Sequence, residues 1–190
     1  MLATGLATMA YYYFDFRDVK KQDCYGLLSS LISQLAAESD PCYITLSHLY
    51  SDTRRGIRKP NIDTLKKCMT DMLSLPGQGP IYIIIDALDE CPNLLGGQPA
   101  REEVLKLIEG LVDLKLPDVH LCVASQLEID IRTVLEPLTS LKISLHDQGG
   151  QKKDIINYVT SVVYAHGMTR WREEDKRLVV DTLSEKADGR

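Results

Sequence analysis

The sequence predicts an α/β protein built on a parallel sheet flanked by helices. Three observations lead there. The run Ile81-Tyr82-Ile83-Ile84-Ile85 is apolar at every position, not at alternate ones, which is the pattern of a strand buried on both faces of a parallel sheet. Strand-like stretches alternate with helical ones along most of the chain, and such alternation gives parallel strands joined by right-handed crossovers. The central run then stops abruptly in acid, Asp86-Ala87-Leu88-Asp89-Glu90. That puts three carboxylates at the C-terminal end of a strand, where open α/β sheets bind ligands.

Each element can be argued in order. Ala10-Tyr11-Tyr12-Tyr13-Phe14-Asp15-Phe16 is aromatic and reads as a well-buried strand, since an exposed aromatic run of this size would invite aggregation. Asp23 can cap a helix over about Cys24 to Glu38, with Leu27, Leu28, Leu31, Ile32 and Leu35 on one stripe. A shorter helix over Cys42 to Tyr50 would turn Ile44, Leu46 and Leu49 inward. Asn61 caps a third, with Ile62, Leu65, Cys68, Met69, Met72 and Leu73 facing the core, and Pro76-Gly77-Gln78-Gly79-Pro80 ends it. After the acids, Glu102 to Leu114 reads as a helix carrying Val104, Leu105, Ile108, Leu111 and Val112. Val119 to Ala124 reads as a strand, Ile129 to Leu135 as a short helix and Leu141 to Leu145 as a fourth strand. From there the pattern is helical only: Lys152 to His166 with Ile155, Ile156, Val159 and Val163, then Glu173 to Lys186 with Leu178, Val179 and Leu183. The expected division is an α/β domain over 1–147 and the start of a helical subdomain over 148–190, and the closing Lys186-Ala187-Asp188-Gly189-Arg190 reads as the end of a fragment.

Composition narrows the function. The 190 residues carry a net charge of -5, which disfavours nucleic-acid binding through bulk charge. No apolar run approaches the roughly 20 residues that span a bilayer. Cys24, Cys42, Cys68, Cys91 and Cys122 are odd in number, widely spread and without a CxxC pair, so they read as reduced thiols of a cytoplasmic protein. His48, His120, His146 and His166 have no metal-ligand spacing. Arg54, Arg55, Arg58 and Lys59 have no interleaved aromatic and read as a solvated loop.

The acids are the candidate site. Asp86, Asp89 and Glu90 beyond a buried strand suggest a magnesium ion beside a phosphate-bearing ligand. The plainer reading makes them the first turn of a surface helix, where the dipole favours negative charge. Three acids exceed what capping needs. Gly96-Gly97 makes no phosphate loop, because no strand leads into it and no Gly-Lys-Ser/Thr follows.

Ala10 to Arg17, then Ile83-Ile84-Ile85-Asp86-Ala87-Leu88-Asp89-Glu90-Cys91, then Ser125-Gln126-Leu127-Glu128-Ile129-Asp130-Ile131, with the tail Leu183 to Gly189, resemble together the NACHT-type P-loop NTPase domain of fungal STAND proteins, of the nephrocystin-like N-terminal group. The resemblance covers nearly all of the chain. It implies a domain that binds magnesium and ATP or GTP and switches between closed and oligomerising states. Relatives place it between an effector domain and C-terminal repeats and use it in non-self recognition or cell death. Asp86 would then be the Walker B acid holding magnesium through water, Glu90 with Asp89 would polarise the attacking water, and Ser125 and Gln126 would stand at the nucleotide.

Two departures accompany the resemblance. No Gly-Lys-Ser or Gly-Lys-Thr occurs anywhere in the chain, so the phosphate cradle and its lysine are missing. Ser125-Gln126-Leu127 stands where the family has Ser/Thr-Arg-Pro, and a neutral Gln126 cannot supply a cation to a γ-phosphate. The resemblance implies the sheet order 5-1-4-3-2 with strand 1 absent. The strands at Val119 and Leu141 would then be separated by roughly 10 Å, two strand spacings. Their closure onto each other, or a marginal fold, is expected, unless a further strand such as Met1 to Thr8 fills the place.

The expected function is a fragment of a STAND-type signalling NTPase that keeps Walker B, lacks Walker A and by itself binds nucleotide weakly or not at all. One alternative is a non-catalytic regulatory or scaffold fragment that associates with itself or with protein partners through exposed sheet edges. Another is a metal-dependent hydrolase using Asp86, Asp89 and Glu90, with Glu128 and Asp130 as nearby acids.

Overall fold

The computed structural model describes residues 7–53, 56–144, 149–165 and 170–186. The chain divides into two compact units, 1–139 and 140–190. The first holds three strands, β1 (Thr8–Tyr13), β2 (Ile81–Asp86) and β3 (Val119–Val123), and five helices, α1 (Cys24–Glu38), α2 (Asp40–Asp52), α3 (Ile62–Leu73), α4 (Ala100–Asp113) and α5 (Ile129–Leu135). All pairings are parallel in the order β1-β2-β3. The acid-ended strand is therefore central, as expected, and the order matches three neighbouring strands of a P-loop-like sheet.

The helices begin where the sequence says they should. The Asp23 carboxylate accepts from Gly26 N at 2.7 Å and Asn61 Oδ1 from Thr64 N at 2.8 Å, satisfying N–H groups that a first helical turn leaves open. The register aligns Ala10 with Ile83 and Leu121, and Tyr12 with Ile85 and Val123. These inward rows bury Ala10, Tyr12, Phe14, Ile81, Ile83 and Ile85 against Leu27, Leu28, Leu31, Ile32 and Leu35 of α1, Met69 and Met72 of α3, and Val104 and Ile108 of α4. Tyr12 and Phe14 meet edge to face with centroids 5.0 Å apart.

Three expectations need correction. First, β2 is buried on one face only: Ile81, Ile83 and Ile85 are covered, whereas Tyr82 is 39 % exposed and Ile84 half-buried. The same holds for β1, where Tyr11 and Tyr13 face outward at 55 % and 47 % exposure. An unbroken apolar run permits burial on both faces, but the core helices of this unit gather on one. The outward row partly covers itself, with Tyr82 stacked on His120 at 4.8 Å and Lys21 Nζ 3.5 Å above the Tyr13 ring. Second, the fourth strand does not form over the described residues 141–144, where Leu141 and Ile143 are 75 % and 65 % exposed; Leu145 lies outside the described residues. Alternating polarity proposes a strand, but alternation alone does not make one. The alternative filler also fails over its described part, because Thr8 opens β1 itself; residues 1–6 lie outside the described residues. Third, Ile44 is 56 % exposed. Cys42, Leu46 and Leu49 lie at i, i+4 and i+7 on the covered stripe of α2, and Ile44 sits about 200° from Cys42 on the helix.

The free side of β1 is capped at its middle by a side chain. Gln34 of α1 accepts from Tyr11 N at 3.0 Å and donates to Tyr11 O at 2.7 Å. The side-chain amide thus occupies the place of a neighbouring strand.

The second unit packs α6 (Gly149–Val163) on α7 (Glu173–Lys186). Ile155, Ile156 and Val159 are half-buried and Val163 buried, as the periodicity predicts. On α7, Val179 and Val180 are half-buried, while Leu178 is 67 % and Leu183 48 % exposed. Leu178 turns about 100° away from the covered valine stripe and Leu183 begins the final turn. Among the described residues no helix is long and apolar enough to cross a membrane. Four of the five cysteines are buried, Cys122 is exposed and none is in a disulfide.

Candidate strand-end acidic site

Asp86 closes β2 and is exposed, its Oδ1 accepting from Ala87 N at 2.9 Å. Ala87 then adopts φ 52 and ψ 44, the left-handed region, which costs a residue with a Cβ about 1–2 kcal/mol. This single residue breaks the strand and starts a 3₁₀ turn over Leu88–Glu90. Leu88 drops into the core fully buried, and its N–H donates to Ala124 O at 3.1 Å. The turn is thereby fixed from below, with Asp89 and Glu90 half-buried at its rim.

Both rim carboxylates are used by the backbone. Asp89 Oδ1 accepts from Gln126 N at 2.9 Å, beyond the end of β3, and Glu90 Oε2 accepts from Phe16 N at 3.2 Å, beyond the end of β1. The turn of the central strand therefore lashes the chain ends of both neighbours. Asp86 makes no such bond among the described residues beyond the one to Ala87. The structure thus brings Asp89 and Gln126 together through the Gln126 backbone. The Ser125 hydroxyl instead donates to Gln126 O at 3.0 Å, and both residues are exposed. Among the described residues no group of three or more His, Cys, Asp or Glu could hold a metal ion. A metal here would need ligand or water oxygens beside Asp86.

The residue that organises the site is one the sequence reading passed over. Arg101, in the first turn of α4, is 6 % exposed. Its Nε donates to Cys91 O at 2.7 Å and its Nη2 to Asp89 O at 2.7 Å, while Nη1 lies 3.3 Å from Asp130 and 3.5 Å from Glu128. One planar fork thus holds two carbonyls of the acidic turn and two carboxylates at the start of α5. Glu128 and Asp130 face this guanidinium and are not free acids for a metal centre. The signal was present: Arg101 continues the stripe of Val104, Leu105 and Ile108, and a cation on an apolar stripe needs a buried partner. Beside it, the buried Cys91 thiol, pushed up to about 12 by burial, donates to Gln22 O at 3.3 Å. It is a structural group with little thiolate at neutral pH.

Ala87→Gly is expected to raise or preserve stability, by zero to about 1 kcal/mol, because relief of the left-handed penalty outweighs the added freedom of the unfolded chain. Ala87→Val should instead cost about 2 kcal/mol or more. Thermal melts of the two variants check this ordering, and a destabilised Ala87→Gly would remove the strain argument.

A parallel α/β domain with a buried-arginine clamp under an acidic turn at the end of its central strand defines the class of protein. The sequence profile described as Nephrocystin 3, N-terminal, matches residues 2–126. The chain belongs to the nephrocystin 3 N-terminal family. No curated protein and no solved structure matches it.

Proposed function

We propose that this chain is a module of a STAND-type, NACHT-like signalling NTPase that retains the acid half of the nucleotide site. The observation that supports it is the placement of Asp86 at the C-terminal end of the central parallel strand, exposed and with a carboxylate oxygen uncommitted among the described residues. That is the position from which a carboxylate can reach a magnesium ion through water in a phosphate site. Magnesium would there balance charge on the phosphates. Glu90 and Asp89 are the acids nearest a water on that ligand, although each already accepts a backbone N–H. Ser125 and Gln126 would border the same crevice.

The chain supplies no lysine-bearing phosphate loop. Calorimetric titration with magnesium–ATP and magnesium–GTP is accordingly expected to give no saturable binding below about 1 mM, a free energy weaker than about 4 kcal/mol. Micromolar binding abolished by Asp86→Asn would show a complete nucleotide site and overturn the half-site reading. Magnesium binding without nucleotide would favour the hydrolase alternative.

A further inference from the structure

Asp89 is held from two sides. Its carboxylate accepts from Gln126 N at 2.9 Å, and its backbone carbonyl accepts from Arg101 Nη2 at 2.7 Å. The same guanidinium turns Nη1 toward Asp130, 3.3 Å from Oδ2, and toward Glu128, 3.5 Å from Oε2. These contacts close a ring: from the Asp89 carboxylate to Gln126, along the chain to Asp130, through Arg101 and back to the Asp89 carbonyl. Residues 125–135 run through it, from beyond β3 to the end of α5, and lead on to the second unit, which begins at Ser140. Within 125–135 only Ile131 is buried, at 3 % exposure.

The ring has a weak side. Arg101 is 7 % exposed and binds the Asp89 and Cys91 carbonyls, whereas Glu128 and Asp130 are 48 % and 44 % exposed. Water can replace the guanidinium at the two carboxylates far more easily than at the two carbonyls. Separation therefore takes residues 125–135 away and leaves Arg101 with the acidic turn.

We propose that residues 125–135 are a strap, latched to the acidic turn by Asp89 and Arg101, which opens as one unit while the sheet stays folded. The closed strap occupies a carboxylate oxygen of Asp89, and the open strap releases it. Such coupling runs both ways. A group that claims the Asp89 carboxylate also loosens the chain leading to the second unit. The latch itself is independent of nucleotide binding.

Native-state hydrogen exchange tests the strap on the whole chain without added ligand. Its probes are the amides of Gln126, Glu128 and Arg132, the last two bonded to Gln126 O and Glu128 O, each at 2.9 Å. The sheet references are Ile81 N, bonded to Asp118 O at 2.7 Å, and Phe14 N, bonded to Asp86 O at 3.1 Å. In the wild type the strap amides should share one opening, with a smaller denaturant dependence than the opening that exposes the sheet. Asp89→Ala and Asp130→Ala each remove one tie. Each should speed every strap amide roughly tenfold, and the two together roughly hundredfold, because an element that opens as a whole loses both ties. The diagnostic amides are the distant ones: Arg132 in Asp89→Ala and Gln126 in Asp130→Ala. Either of two results overturns the proposal. One is that each variant speeds only the amides beside it, which makes the ties separate. The other is that strap and sheet amides share one opening, so that the segment unfolds only with the whole unit.

Discussion

Arg101→Ala is expected to destabilise the first unit by about 3 kcal/mol, the order of loss when one partner of a buried charged network is removed. The side chain is 7 % exposed, and its removal strands the Asp89 and Cys91 carbonyls in a space no longer filled by the guanidinium. Glu128 and Asp130, 48 % and 44 % exposed, can regain water, so the carbonyls and the lost packing dominate the cost. Arg101→Lys should recover less than half, because an ammonium cannot span Cys91 O, Asp89 O and the two carboxylates at once. Urea denaturation measures both variants, and a loss under about 1 kcal/mol for the alanine variant would show that the clamp is incidental.

Gly26→Ala is the second large effect, and its sign runs against helix propensity. Within a helix the substitution should stabilise by about 1 kcal/mol. Here a Cβ would press on the Lys20 carbonyl oxygen well inside contact distance and come within 2.9 Å of the Tyr12 hydroxyl. The hydroxyl oxygen lies on the ring axis and moves only if the buried Tyr12 ring shifts against Phe14. The carbonyl belongs to the backbone of the turn before α1, which Asp18 caps through Lys20 N. The expected net cost is about 2 kcal/mol, in the range of overpacked interiors. A higher melting temperature for Gly26→Ala would refute the close approach of α1 to that turn.

Much of this architecture was legible from residues. Asp23 and Asn61 marked helix starts because their short side chains can reach only local N–H groups, and the 3.6-residue stripes named most of the core. What stayed hidden depended on neighbours. The outward face of β2 is written in the same isoleucines and tyrosine as a buried face, and only the placement of the helices distinguishes them. Leu141 to Leu145 alternates as a strand should, yet no strand forms over its described part. At the site, the type and position of Asp86, Asp89 and Glu90 could be read, but not that Asp89 and Glu90 hold the amides of Gln126 and Phe16 across the sheet. Those contacts join residues 37 and 74 positions apart, and no local pattern encodes them.

The Gln34 side chain also marks where β1 can be extended. Its amide makes the two bonds to Tyr11 that a neighbouring strand would make, so a segment pairing along the middle of β1 must first displace it. The bonds of Thr8 N to Pro80 O and of Phe14 N to Asp86 O put Met9, Tyr11 and Tyr13 on the same outer side of the strand, and of these three Gln34 holds Tyr11. One glutamine thereby guards the centre of an edge and leaves its two ends to the chain around them.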